Sequence, residues 1–174
     1  TLENNQDPII TGIRSILRIK KNTNIPIDRI KSINVGTTIA TNALLENKGD
    51  NTLLLTTEGF GDSLEIGYQS RPKLFDLNIK KNKMLYTKVV EVEERIDVNG
   101  KIIKKLDLKK EKQKILKVLN SQNLGIKSIA INLMHAWKYP NHEIQLLKIL
   151  KEIGFNEVSS GHDISPTIKF IKRG

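Results

Sequence analysis

The sequence predicts an α/β fold: a mostly parallel mixed sheet with flanking helices and one antiparallel hairpin. Three observations carry this expectation. Continuous apolar runs such as Thr52-Leu53-Leu54-Leu55-Thr56 and Ser128-Ile129-Ala130-Ile131-Asn132-Leu133 have the composition of strands buried on both faces. Between them stand stretches with apolar residues three and four apart, and alternation of the two types gives a parallel sheet with right-handed crossovers. Asn99-Gly100, set between an alternating run and a shorter return, is the strongest short hairpin signal.

Each element follows from its residues. Asp7 to Lys21 reads as an amphipathic helix with Ile9, Ile10, Ile13, Ile16 and Leu17 on one side; Asp7 suits the N-cap and Pro8 the first helical position. Ile30 to Val35 reads as a short buried strand. Gly36 then sits where that strand turns into a helix, along which Ile39, Ala40, Ala43 and Leu44 form an apolar stripe and Lys48 and Gly49 give stop signals. After the Thr52–Thr56 strand, Gly59-Phe60-Gly61-Asp62 opens a short helix through Leu64 and Ile66. Leu85 to Ile96 alternates with the strand period of two, and its hairpin partner, Lys101 to Leu106, is expected to extend the sheet. Asp107 caps a helix over Leu108–Asn123, and Asn141 caps another ending near Ile153. A short strand near Glu157–Ser160 closes the series.

Composition bounds the function. The 174 residues, 38% of them hydrophobic, suffice for a core of α/β size. With no cysteine, thiolate chemistry and disulfides are excluded, and no apolar run is long enough to span a membrane. The formal net charge of +10 is consistent with a basic module that binds nucleic acid. However, its lysines are scattered as separate pairs with few aromatics between them, which favours a solvated surface. The chain reads as a single partial domain over residues 1–174, a piece of a longer protein.

Several residue groups could carry chemistry. Ligands of such sheets gather beyond the carboxyl ends of strands, which places Gly36-Thr37-Thr38, His135 and His162-Asp163 at one rim. A glycine at a strand-to-helix turn lets a ligand approach free N–H groups, and Thr37 or Thr38 can offer a hydroxyl to an anion; a plain capped turn is the alternative. Thr41 and Asn42 share the small polar face of the same helix. Arg71, beside Pro72, is either a carboxylate or phosphate clamp or a surface arginine. His135 is a general acid/base or a hydrogen-bonded structural histidine. His162 and Asp163 either orient one another as base and partner or form a self-bonded turn. Glu93 and Glu94 point to opposite faces of their strand, so cross-strand pairing with lysines is the better use for such acids. His135, His142 and Glu143 lack the register of a metal site. No Gly-x-x-x-x-Gly-Lys-Ser/Thr or Gly-x-Gly-x-x-Gly string is present.

Longer strings add a resemblance. Gly36-Thr37-Thr38-Ile39-Ala40-Thr41-Asn42-Ala43-Leu44-Leu45-Glu46 resembles the signature of the hydantoinase A/5-oxoprolinase family, and Thr56-Thr57-Glu58-Gly59-Phe60-Gly61-Asp62 and Ile66-Gly67-Tyr68-Gln69-Ser70-Arg71-Pro72-Lys73-Leu74-Phe75-Asp76-Leu77 follow in the family's order. The strings Val89-Val90-Glu91-Val92-Glu93-Glu94-Arg95, Leu133-Met134-His135-Ala136 and Tyr139-Pro140-Asn141-His142-Glu143 resemble its oxoprolinase branch more than its N-methylhydantoinase or acetone carboxylase branches. The resemblance implies part of an actin-like ATPase (ribonuclease H-like) domain. It implies a cytoplasmic enzyme that uses ATP and Mg2+ to open a small lactam, 5-oxoproline to glutamate, as an oligomer with a hydantoinase B-type subunit or domain. It also implies that Gly36, Thr37, Thr38, Thr41 and Asn42 line the cleft, with Arg71 as a carboxylate anchor. The family's phosphate loop precedes this stretch and its second lobe follows, so the piece alone is expected to be inactive.

Overall fold

A computed structural model describes residues 8–20, 23–34, 36–69, 75, 83–121 and 124–174. The chain divides into two compact units, Thr1–Ala40 and Thr41–Gly174.

In the first unit, helix α1 (Pro8–Leu17) is amphipathic, as its spacing demands, and Arg18 leaves it in the left-handed region at φ 53°. The Arg14 guanidinium holds the exit by donating to the Lys20 and Thr23 carbonyls at 2.8 and 2.6 Å. After a 3-10 turn over Ile27–Arg29, the expected strand does not form: residues 30–34 pair with no neighbour, and Ile33 is 52% exposed. An extended segment becomes a strand only when another chain segment takes its N–H and C=O groups. Val35 lies outside the described residues. Instead, Ile13, Ile16 and Leu17 of α1 and Ile30 and Ile33 line an open apolar hollow of about 370 Å³.

Helix α2 (Ile39–Leu45) follows Gly36 as expected, but a different residue stops it. Asn47 takes the left-handed conformation at φ 50°, while Lys48 N–H bonds the Ala43 carbonyl at 2.8 Å and Asn47 N–H the Leu44 carbonyl at 3.2 Å. Asparagine tolerates that conformation, so the helix closes before Lys48 and Gly49. Its apolar stripe is not buried at Leu44 and Leu45, which are 55% and 75% exposed.

The second unit is built on strands β1 (Thr52–Thr57), β2 (Lys88–Val92), β5 (Ser128–Asn132) and β6 (Glu157–Ser160), all parallel in the order β2-β1-β5-β6. β1 pairs on both sides, and Leu53, Leu54 and Leu55 are all buried, which explains its unbroken apolar run. Leu53, Leu55, Val90, Val92, Ile129 and Ile131 form one core with Ile115 of α4 (Leu108–Ser121) and Leu146 and Leu150 of α5 (Asn141–Ile153). Each such side chain contributes roughly 1.5–3 kcal/mol by leaving water. The opposite face carries the short helices α3 (Ser63–Ile66) and α7 (Phe170–Arg173), where Leu64 and Asn132 approach Gly174. Helix α6 (Gly161–Ile164) begins where β6 ends.

Asp107 caps α4 as expected, its Oδ1 accepting from Lys109 and Lys110 N–H at 3.0 and 3.1 Å. Asn141 does not cap α5: it is the first helical residue, preceded by Pro140, and no side chain caps that end. The single strand expected over Leu85–Ile96 breaks at Glu93 and Glu94, giving β2 and a separate β3 (Arg95–Ile96). β3 pairs with β4 (Ile102–Lys104) through a turn in which Gly100 has φ 88°, so the hairpin is its own two-stranded sheet and not an extension of the main one. The break has a cause: Glu94 turns into the core, and Glu93 N–H bonds the Glu111 carboxylate at 3.1 Å.

Two outcomes follow from this packing. Leu146→Ala, at a position with no exposure, should cost about 2–5 kcal/mol in denaturant unfolding. Glu111 is buried with its Oε2 unbonded, and burial raises its pKa against the opposing Glu93 amide and Lys114 charge. The folded state therefore holds a proton that the unfolded state releases first, and stability falls as pH rises from the unfolded toward the folded pKa. Glu111→Gln should gain most on wild type at neutral pH, and the gain should shrink in acid when unfolding midpoints are compared across pH.

Candidate functional site at the tips of β1 and β5

In this strand order the chain leaves β1 to one side, to β2, then returns past β1 to β5 and β6. The order reverses between β1 and β5, and a crevice outside their carboxyl ends is the expected ligand position in such sheets. Side chains from β1, β5, α5, α6 and α7 meet there, with Glu94 from between β2 and β3.

The exit from β5 is held at successive peptides. Leu133 N–H donates to Glu143 Oε1 at 2.8 Å, and Met134 N–H to Thr57 Oγ1 at 2.9 Å. From the other side Arg173 donates to the Leu133 carbonyl, to Asn132 Oδ1 at 3.0 Å and to the Thr167 carbonyl at 3.0 Å. One residue, Leu133, thus has its N–H on a buried acid and its carbonyl on a buried arginine. Burial lowers the Arg173 pKa, and the Glu143 charge opposes that shift.

Two acid–histidine pairs lie behind these contacts. Thr57 donates its hydroxyl proton to Glu94, whose Oε2 meets His142 Nδ1 at 2.7 Å. Glu143 Oε2 accepts from His162 N–H at 3.0 Å and meets His162 Nδ1 at 2.8 Å. His142 and Glu143 are adjacent in the first turn of α5, where successive side chains point about 100° apart, so one reaches Glu94 and the other the tips of β5 and β6. Burying such charges costs several kcal/mol per ion unless they are paired and hydrogen-bonded, and here every oxygen of Glu94 and Glu143 has a partner.

His135 follows β5 in the left-handed region at φ 59°, its carbonyl accepting from Lys138 and Tyr139 N–H at 3.1 and 3.0 Å. That conformation costs a non-glycine residue roughly 1–2 kcal/mol and sets a half-buried imidazole at the crevice. Glu91 of β2 takes the Gly59 and Gly61 N–H groups at 3.2 and 2.9 Å, and a Cβ on Gly61 would lie 2.8 Å from its Oε1. Glycine is needed there for that approach.

His135 and His162 follow adjacent parallel strands and share the rim, as the strand-end rule expects. The expected partnership of His162 with Asp163 is not formed: Asp163 is exposed, and the fully buried Glu143 takes Nδ1 instead. Gly36, Thr37 and Thr38 are exposed in the first unit, where Gly36 follows an unpaired segment and a Cβ on it would meet open space. Thr41 and Asn42 are exposed on α2. Arg71 lies outside the described residues. Among the described residues no group of three His, Cys, Asp or Glu could hold a metal. Sequence reasoning missed Thr57, Glu94, Asn132, Glu143 and Arg173 as members of the site.

A parallel sheet in this order, flanked by helices and accompanied by an antiparallel pair, is consistent with an actin-like ATPase-type domain. The chain belongs to the hydantoinase/oxoprolinase family, whose model, described as the hydantoinase/oxoprolinase N-terminal region, matches residues 1–154. It is 39% identical to a 5-oxoprolinase of Dictyostelium discoideum across 99% of its own length and 38% identical to one of Saccharomyces cerevisiae across 98%. In each case it spans only 16% of the relative. A crystal structure of the ATP-dependent caprolactamase from Pseudomonas jessenii superposes with a TM-score of 0.72 and 25% identity, covering 99% of this chain and 26% of that one.

Thr57→Val removes the acceptor of Met134 N–H and the donor to Glu94 together. It should cost about 1–3 kcal/mol in denaturant unfolding, the range for a buried polar group left unpaired, whereas Thr57→Ser should stay near wild type.

Proposed function

We propose that this chain is the N-terminal part of an ATP-dependent hydrolase acting on cyclic amides, with 5-oxo-L-proline as the lactam and L-glutamate, ADP and phosphate as products. The observation that carries this reading is the 36–39% identity to 5-oxoprolinases, sustained over 98–99% of the chain. The likeness to an ATP-dependent caprolactamase supports the same chemistry on another lactam.

A lactam carbonyl is a poor electrophile because its nitrogen shares its lone pair. Transfer of the γ-phosphoryl group of ATP to the lactam oxygen makes the ring carbon open to water, and the protein's part is to position the reactants and stabilise charge. In this reading His135 and His162 serve the crevice as proton-handling groups, with Asp163 beside them. Gly36, Thr37, Thr38, Thr41 and Asn42 line the cleft toward substrate or phosphate, and Arg71 anchors the lactam's carboxylate. ATP is taken with Mg2+, for which the described residues offer no group of three His, Cys, Asp or Glu donors, and no step here runs through it. A hydantoinase B-type subunit or domain, an oligomeric assembly and a cytoplasmic location complete the proposal.

The test is substrate-dependent ADP release by the full-length protein with 5-oxo-L-proline, N-methylhydantoin, or a ketone plus bicarbonate. Release with 5-oxo-L-proline and glutamate in equal amount supports the reading; release only with either of the others overturns it. In the same protein Arg71→Ala should raise the KM for 5-oxo-L-proline roughly 10- to 100-fold, the worth of a charge-assisted hydrogen bond, and Thr38→Ala should lower kcat/KM by about fivefold with the fold intact by circular dichroism.

A further inference from the structure

The two acid–histidine pairs differ in one respect. The His142 side chain is 5% exposed, whereas the His162 side chain is 20% exposed, and no described residue bonds its Nε2. The Glu143 carboxylate has no exposure and takes the N–H and Nδ1 of His162 on a single oxygen. An ionised carboxylate only accepts, so the imidazole proton stands on Nδ1 and Nε2 keeps its lone pair. The other Glu143 oxygen holds Leu133 N–H at the β5 tip, so the ring is fixed relative to the crevice. Arg173 holds the Leu133 carbonyl from the far side, so the same residue is fixed at both its N–H and its carbonyl. A partly exposed imidazole with one nitrogen fixed by a buried acid and the other unbonded by any described residue is the arrangement of an oriented general base.

We propose that Glu143 holds His162 as the proton acceptor for the water that opens the activated ring, which rests on the amide hydrolysis proposed above. The water oxygen bonds to the ring carbon of the O-phosphorylated lactam, the C=N π pair moves onto nitrogen, and the water proton passes to Nε2. That proton is then delivered to the ring nitrogen as the C–N bond breaks, and the hydroxyl proton is lost as the acyl phosphate carbonyl forms. A second water releases phosphate. His162 is the catalytic residue and Glu143 the positioning residue.

The experiment is rapid-quench single turnover of the full-length enzyme with ATP and 5-oxo-L-proline, following ADP and ring-opened product separately. In His162→Gln, ADP should form at the wild-type rate while ring opening slows at least ~100-fold, with the lactam KM within about twofold. Glu143→Gln should show the same split with a smaller loss, and added imidazole should restore part of the ring opening in His162→Ala. Equal slowing of both products, unchanged ring opening in His162→Gln, or no effect of imidazole would overturn the assignment. Because His162 is partly exposed whereas Glu143 is fully buried, its variants keep the test decisive even where Glu143→Gln fails to fold. Wild-type enzyme that consumes no ATP with this lactam would instead overturn the parent reading.

Discussion

The peptide of Leu133 is the point on which the second unit depends. It is the first residue past β5, at the place where the strand order reverses, and both of its polar groups are taken by buried ions. Ordinarily a strand end is satisfied by water, and its backbone wanders. Here Glu143 from α5 and Arg173 from α7 hold the N–H and the carbonyl of one residue, while Thr57 of β1 takes the next N–H. Three elements distant in sequence are thereby tied to one strand tip, and His135 is delivered in its left-handed conformation directly after it.

This arrangement is expensive as stabilisation and useful as positioning. Replacing buried ion pairs by apolar groups of like shape is often neutral or favourable, so Glu94, His142, Glu143 and Arg173 are poorly explained as contributors to stability alone. What such a network supplies is a single geometry, because removing one member strands the others. The hydrophobic core beneath, with Leu53, Leu55, Ile129, Ile131 and Leu146 all but fully enclosed, supplies the free energy. A preorganised polar layer resting on an apolar platform is what chemistry at strand tips requires.

The fold of the second unit was largely legible in the residues, since apolar runs, the Asn99-Gly100 turn and the Asp107 cap act locally. Glu94 was expected to pair with cross-strand lysines, as Glu93 does, and that expectation fails; the signal against it was parity, since Val90, Val92 and Ile96 are the buried set of the alternation and Glu94 falls on the same side. An acid on the apolar face signals a buried partner, here Thr57 and His142. The partner of His162 was not legible, because Glu143 lies nineteen positions away in sequence and reaches it only once α5 has packed beside β6. The strand expected before Gly36 failed for a related reason. Ile30 to Asn34 has a strand's composition, yet a ladder is a property of two segments, and no described segment lies alongside.

The basic composition resolves in the same physical terms. Around the hairpin, Lys104 contacts Glu58 at 2.6 Å and Glu93 at 3.4 Å, and Lys110 contacts Glu93 at 2.7 Å. The hydrogen bond from Lys110 lowers the Glu93 pKa, and those with Glu58 and Glu93 raise the pKa values of Lys104 and Lys110 respectively. Exposed pairs of this kind are worth little each. They do show that these lysines answer acids of their own chain, at the joint where β2 gives way to β3 and Glu94 turns inward. A polyanion-binding face needs cations that are grouped and uncommitted, together with rings on which bases can stack. The lysines at this joint meet acids on the outer side of a loop whose inner side carries Glu94, which assigns part of the positive charge to that joint.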